Sequence, residues 1–245
     1  MSEIIKTEAV VLSKMNYRDS SSIASLFTDE LGKISVIVKG ARSSKSKYGK
    51  IVDPINYLSV IIYKKESREV QLLSGADIIE HYPEIKNNLG KLTYAYGVVE
   101  LIKNLIAENE VNNKLFKAVI KILARLNKAE ELPEITFGRF LFYFLKEIGY
   151  EIQLDACAIC GKAISIDNVF YHRDKGVICG DCKKSVVDIY QINAELLKYL
   201  ICLKTGESAD NFSNLIIKKA IIFMENHLKF HVADFKGISS LKLIE

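Results

Sequence analysis

The chain has 245 residues, 49% of them hydrophobic, with a formal net charge of +4. This is enough for one to three domains with packed cores, and it excludes a low-complexity chain. The first residues carry Glu3, Lys6 and Glu8 instead of the apolar stretch of a secretory signal, and no run of about 18 apolar residues marks a membrane span, so a cytoplasmic protein with reduced thiols is expected.

Residues 1–80 predict a β domain. Runs rich in Ile, Val, Tyr and Leu at 4–12, 22–27, 34–38, 55–63 and 70–74 are punctuated by Gly32, Gly40, Asp53-Pro54 and Glu66-Ser67. Their alternation is imperfect, as in a closed barrel with bulges. Five short strands in this span fit a small barrel such as an OB-fold, although strand counting alone does not separate it from an SH3-like barrel. After Pro83 the apolar period becomes helical. Leu92, Tyr96, Val99 and Ile102 share one predicted helix face, and Leu115, Val119, Ile122 and Leu126 share a second. Phe137, Phe140, Leu141 and Phe144 mark a third helix, which opens at Pro133 and stops at Gly149. Asn193 is read as the cap of a helix through Leu203, and Asn211 or Ser213 as the start of the last helix. The tail over 234–245 reads as loosely ordered. The expected fold is α+β: an OB-fold barrel over 1–80, then a mainly α-helical domain over 81–245, with a four-cysteine module inserted over 151–190.

The charge is unevenly spread. Residues 31–52 hold Lys33, Lys39, Arg42, Lys45, Lys47 and Lys50 and no acid, which exceeds the net charge of the whole chain. Such a run is often a solvated face. Here it falls in a small, polar, flexible segment between two predicted strands. Cations, serine hydroxyls and the amides near Gly40 and Gly49 can follow a phosphate backbone there. Tyr48 offers a ring on which a base can stack, worth roughly 1–3 kcal/mol. Arg18 adds to the surface, offset by Asp19. Nothing in the segment reads base edges, so sequence-independent nucleic-acid binding is expected.

Cys157-Ala158-Ile159-Cys160 and Cys179-Gly180-Asp181-Cys182 are two C-x2-C pairs separated by 18 residues. Two such pairs complete a tetrahedron of thiolates around one Zn²⁺ and leave no position open for water or substrate. A disulfide framework does not suit a cytosolic chain, and a thioredoxin-like redox site needs one pair rather than two. A deaminase needs H-x-E beside its cysteines, and none of the four histidines supplies it. His172 lies between the pairs as a weaker alternative ligand, and His172-Arg173-Asp174 matches a kinase catalytic loop only by chance. Cys202 falls in an apolar helical stretch and reads as a buried thiol.

Together these segments resemble the bacterial DNA repair and recombination mediator family RecO. The similarity is carried by Tyr17-Arg18-Asp19 through Leu26-Phe27-Thr28 and by Leu31-Gly32-Lys33 through Lys39-Gly40-Ala41-Arg42. Lys45-Ser46-Lys47-Tyr48-Gly49, Pro54 and the cysteine set continue it. The resemblance implies an N-terminal OB-fold and a helical domain with a zinc module. It implies binding to single- and double-stranded DNA, annealing of complementary strands, and a complex with RecR. That complex helps load RecA onto strands coated by the single-stranded DNA-binding protein. It further implies a groove on the helical domain for the acidic, aromatic C-terminal tail of that coating protein, for which Ile217, Lys218, Lys219 and Ile221 are the candidates. No catalytic residue and no small-molecule substrate is expected. The rival readings are an interaction scaffold without direct DNA binding and a zinc-dependent hydrolase or deaminase.

Overall fold

The computed structural model describes residues 2–128, 131–166 and 168–243. Five strands form a closed barrel in the order β1-β2-β3-β5-β4: β1 (Ser2–Tyr17), β2 (Ser21–Thr28), β3 (Gly32–Val38), β4 (Tyr57–Lys65) and β5 (Val70–Glu80). β1 pairs antiparallel with both β2 and β4, and β3 pairs parallel with β5. The registers shift at Val11/Ser13 of β1 and twice along β4, which accounts for the imperfect alternation in the sequence. Ala9, Val11, Ala24, Leu26, Val36, Val38, Leu58, Val60 and Ile62 fill the interior. β1 and β5 each run several residues further than their apolar runs, because ladder pairing continues through exposed residues.

Phe27 points away from the barrel interior yet is fully buried. The ring that covers it is Phe116, edge-on at 5.7 Å, which also meets Tyr57 at 6.4 Å. Phe116 lies on α4 (Asn113–Lys128), so this helix packs with the barrel, together with α2 (Pro83–Lys86) and α3 (Leu89–Leu105). The change from strands to helices falls near residue 80, but the first compact unit continues through the described residues of Met1–Glu130 and takes in those of Ile238–Glu245. Three polar ties reinforce it. Lys33 Nζ donates to the Lys103 carbonyl at 2.7 Å, and Asn113 Nδ2 donates to the Asp29 carbonyl and carboxylate at 2.8 and 2.7 Å. Gly32, at φ 66°, sits where a Cβ would overlap the Glu110 carbonyl, so only glycine permits this approach.

The tail departs from expectation. Phe235, Ile238 and Leu241 recur every third residue and are 5%, 1% and 8% exposed. A 3-10 turn forms over Ser239–Leu243 and buries Leu241, and the Ser240 amide donates to the Glu100 carboxylate at 3.1 Å. Ile244 and Glu245 of the expected loose tail lie outside the described residues.

The second unit spans Glu131–Gly237. α5 (Pro133–Glu147), α6 (Ala194–Thr205) and α7 (Asn214–His231) pack on one another, with Pro133 in the first turn of α5. Asn193 and Ser213 accept the capping amides of Glu195 and Ile216. Between α5 and α6 lies a three-stranded sheet, β7 (Gly176–Cys179), β6 (Val169–His172) and β8 (Ile189–Ile192), which carries the cysteines. Among the described residues no helix is long and apolar enough to cross a membrane.

Candidate functional site

The basic segment leaves β3 at Lys39 and is more ordered than a flexible loop. Its second half forms α1 (Lys47–Ile51), capped by Ser46 Oγ, which accepts from the Gly49 amide at 3.0 Å. The Gly49 amide is therefore committed and is not a free phosphate donor. A Cβ at Gly49 would collide with the Ala41 carbonyl, so the two arms of the segment touch here. Lys14 of β1, which no sequence motif marks, fastens α1 by donating to the Gly49 carbonyl at 2.9 Å and pairing with Asp53 at 3.5 Å. The segment is also tied to the β1–β2 turn. The Arg42 amide donates to the Ser20 carbonyl and its guanidinium to the Arg18 carbonyl, both at 3.0 Å.

Two residues expected at this surface are elsewhere. Lys33 is 8% exposed and is held by the Lys103 carbonyl and by Glu108 at 3.6 Å, because it points under the helices that cover the barrel. Tyr48 is half-buried against the barrel core, so it stiffens α1 and does not present an open face. Lys47 pairs with Asp77 at 3.3 Å on the exposed surface. Arg18, Lys39, Arg42, Lys45 and Lys50 are exposed, and no ion pair holds them among the described residues. The Arg18 guanidinium lies over the Tyr17 ring at 5.2 Å. Tyr17 and the exposed Met15 share one face of β1 at this end of the barrel, so the apolar contact available to a base lies here rather than at Tyr48.

The four cysteine sulfurs lie within 4.8 Å of one another. Cys160 and Cys179 Sγ are 3.7 Å apart, close to the edge of about 3.8 Å for a tetrahedron with Zn–S bonds of about 2.3 Å. The first knuckle turns through Gly161 at φ 72°, where the Gly161 amide bonds to the Cys157 carbonyl at 2.9 Å. The second enters the 3-10 turn Gly180–Ser185, and the Cys179 amide points at Cys157 Sγ at 3.4 Å. Burial pushes the Cys157 thiol up, but the amides of Cys179, Cys160 and Ile159 outweigh it and bring it to about 6. Cys182 goes the opposite way, to about 12. Its hydrogen bond with Cys160 acts first, then burial, then its bonds with Cys179 and Cys157. Sulfurs this crowded do not all ionise without a cation among them, so the donor set fits a divalent metal that prefers thiolate. His172 is not in the cluster, since its Nδ1 accepts amides of Asp174 and Lys175 in the β6–β7 turn. Cys202 stands apart, half-buried and 4.0 Å from Glu207.

Of the four groove candidates, Ile217 and Ile221 are 1% and 4% exposed and belong to the core of the second unit. Lys218 is exposed on the outside of α7. Lys219 instead borders a cavity of about 680 Å³ that the sequence did not reveal, lined also by Arg173, Tyr190, Ile222, Lys229 and Phe230. The Arg173 guanidinium lies over the Phe230 ring at 5.6 Å. The cavity joins β6 and β8 to α7, and only folding brings these together.

His227 closes the floor of this cavity. Its Nε2 faces the Tyr150 carbonyl at 3.0 Å and must carry the proton, so Nδ1 accepts from the Tyr171 hydroxyl. Burial, and then the neighbouring His231, lower its pKa to about 4 against the opposing effect of the Tyr150 carbonyl. An unfolded histidine titrates near 6.5, so its neutral form supports the fold fully above that pH. The contribution, up to roughly 3 kcal/mol, is lost as pH falls from 6.5 toward 4. Thermal unfolding across this range should show a fall in melting temperature that His227→Gln reduces. An equal fall in both proteins would disprove it.

The sequence is similar to those of known proteins. The family description "Recombination protein O N terminal" matches residues 1–82, and "Recombination protein O C terminal" matches residues 86–236. The chain is 31% identical over 248 residues to a DNA repair protein RecO of Geobacter metallireducens, covering 99% of both chains. It is 34% identical over 162 residues to one of Chlorobium limicola, covering 66% of this chain and 62% of that protein. A relative of the same name in Thermoanaerobacter is 26% identical over 248 residues. With both family descriptions matched along nearly its whole length, the chain belongs to the RecO family of DNA repair and recombination proteins.

Proposed function

We propose that the protein is a non-enzymatic, DNA-binding mediator of recombinational repair that anneals complementary strands in the cytoplasm. The observation that carries this is the end of the barrel where Arg18, Lys39, Arg42, Lys45 and Lys50 are exposed beside Tyr17 and form no ion pair among the described residues. The strand order, with β3 parallel to β5 and β1 closing on β4, supports assignment as an OB-fold, a barrel used for oligonucleotides. Cations screen the phosphates, and the absence of base-reading groups keeps binding independent of sequence. The four thiolates hold one structural Zn²⁺ that maintains the module and takes no part in chemistry.

Family membership supports work alongside RecR in placing RecA on strands coated by the single-stranded DNA-binding protein. The cavity of the second unit supports contact with that protein's tail. An acidic, aromatic C-terminus needs cations for its carboxylates and an apolar pocket for its ring. Arg173 and Lys219 beside Ile222 and Phe230 offer both. Annealing of oligonucleotides coated by that protein, with and without its tail, tests the reading. Wild-type protein should anneal both, faster with the tail present. Arg173→Glu with Lys219→Glu should remove only the tail-dependent gain. Equal rates with and without the tail would exclude this site, and no annealing of bare strands would exclude the function.

A further inference from the structure

The cations that define the barrel surface all lie near one end of β2. A second set lies near the other end. α4 contains Lys114, Lys117, Lys121, Arg125 and Lys128 and no acidic residue. All five are exposed. At 3.6 residues per turn their spacings of three and four place them within an arc of about 80°. Leu115, Phe116, Val119, Ile122, Leu123 and Leu126 occupy the opposite, buried face.

An ordinary solvated helix face mixes signs and gains from pairs four residues apart. α7 of this protein does so with Glu225 and Lys229 at 3.0 Å. α4 does the reverse. Lys117, Lys121 and Arg125 are like charges at successive intervals of four, a destabilising arrangement. Lys114 sits in the first turn, where the helix dipole disfavours a cation and no acid offsets it. The acids just before the helix are engaged elsewhere, Glu108 with Lys33 and Glu110 with the Ala107 amide. No ion pair reaches the stripe among the described residues. The helix therefore holds a concentrated positive field that no ion pair among the described residues neutralises.

We propose that this stripe is a second nucleic-acid-binding surface, which holds the phosphate backbone of another strand while the barrel loop holds the first. The proposal rests on the DNA-binding reading above and extends it to a separate site. Steps of three and four residues are about 4.5–6 Å along the helix axis, a repeat that follows a phosphate chain. None of the exposed large hydrophobics among the described residues lies on α4, so an apolar anchor for an acidic protein segment is missing. The two surfaces belong to one compact unit. Asn113 ties the start of α4 to Asp29 after β2, and Arg42 ties the loop to Ser20 before it. Eight residues of β2 separate these points by roughly 25 Å. Holding two strands on one body raises the local concentration of each for the other, which is what annealing requires.

The test uses the full chain with Lys117→Gln, Lys121→Gln and Arg125→Gln together, compared with wild type, the variant Arg42→Glu with Lys45→Glu, and the combination. Glutamine keeps helix propensity and removes the like-charge repulsion, so α4 should fold at least as well by circular dichroism. With short single strands, wild type should bind two per chain; in the stripe variant the second should bind about 100-fold more weakly at 0.1 M salt, its slope of log K against log salt lowered by about 2, while the first keeps its affinity. Annealing should slow as well, and only the combination should weaken both binding events. Wild-type affinity and slope for the second strand, with a wild-type annealing rate, in the stripe variant would overturn the second site while leaving the loop reading intact. Retained DNA binding with lost capture of poly-glutamate would overturn it in favour of an acidic protein partner. A wild-type protein that binds no DNA would remove both readings.

Discussion

Arg42→Glu with Lys45→Glu should weaken binding to a single-stranded oligonucleotide by more than about 25-fold at 0.1 M salt. Each phosphate contact on a single strand contributes about 0.7 to the slope of log K against log salt, so losing two lowers it by about 1.4. At 0.1 M salt that slope difference is itself about 1.4 decades of affinity, and reversing the charges adds repulsion. Five exposed cations at this end of the barrel predict a wild-type slope contribution of about −3.5. Annealing should fall at least in proportion, because both strands must be screened before bases can meet. Arg42 also donates to the Arg18 carbonyl, so the turn loses one hydrogen bond worth about 1 kcal/mol. The barrel core does not include either side chain, and a melting temperature lowered by no more than about 2–4 °C would separate lost binding from lost folding. Wild-type annealing by the double variant would remove the loop from the mechanism.

Removing the metal should unfold the cysteine module. Among the described residues, the cluster of buried side chains around the cysteines is small: Cys157, Phe170 and Ile178, with Ile164, Val186 and Ile189 partly packed on it. A core of this size does not hold about forty residues without a staple. A four-thiolate Zn²⁺ supplies an apparent 10–16 kcal/mol at neutral pH. Cys157→Ser removes a ligand whose sulfur the Cys179 amide supports, and the metal content should drop from one per chain. Hydrogen exchange should accelerate through β6, β7 and β8, and Tyr190 and Arg173 should lose their places at the cavity. Single-strand binding by the barrel should survive, since its cations belong to the other compact unit. Unchanged metal content and exchange in Cys157→Ser would refute structural zinc.

The two features that dominate the sequence survive in different degrees. The cysteine pairs needed only their spacing, because a knuckle is a local structure and simple core burial does not repeat a C-x2-C spacing twice. The basic segment was legible as charge but not as geometry. Tyr48 and Lys33 carry no mark in the sequence that they turn inward, and their burial depends on a barrel wall and on helices more than fifty residues away. The cavity at Lys219 escaped for the same reason, since Arg173, Tyr190 and Phe230 lie on three separate elements. The stripe on α4 is visible in the sequence as five cations at helical spacing without an acid. What the sequence does not show is that the acids before the helix are engaged elsewhere, so that no ion pair among the described residues reaches the stripe.

What the sequence determined by itself is local and periodic: strand runs, helix faces, the caps at Asn193 and Ser213, the knuckles, and membership of a family through motifs around Lys39 and Cys157. Tertiary structure decided which apolar surfaces meet and hence where units begin and end. Phe116 on Phe27 joins α4 to the barrel, although the apolar period of the chain changes at Pro83. Ile238 and Leu241 return the tail to the same unit as the barrel and α3. Burial is a property of distant partners, and charge acts only where burial leaves it exposed.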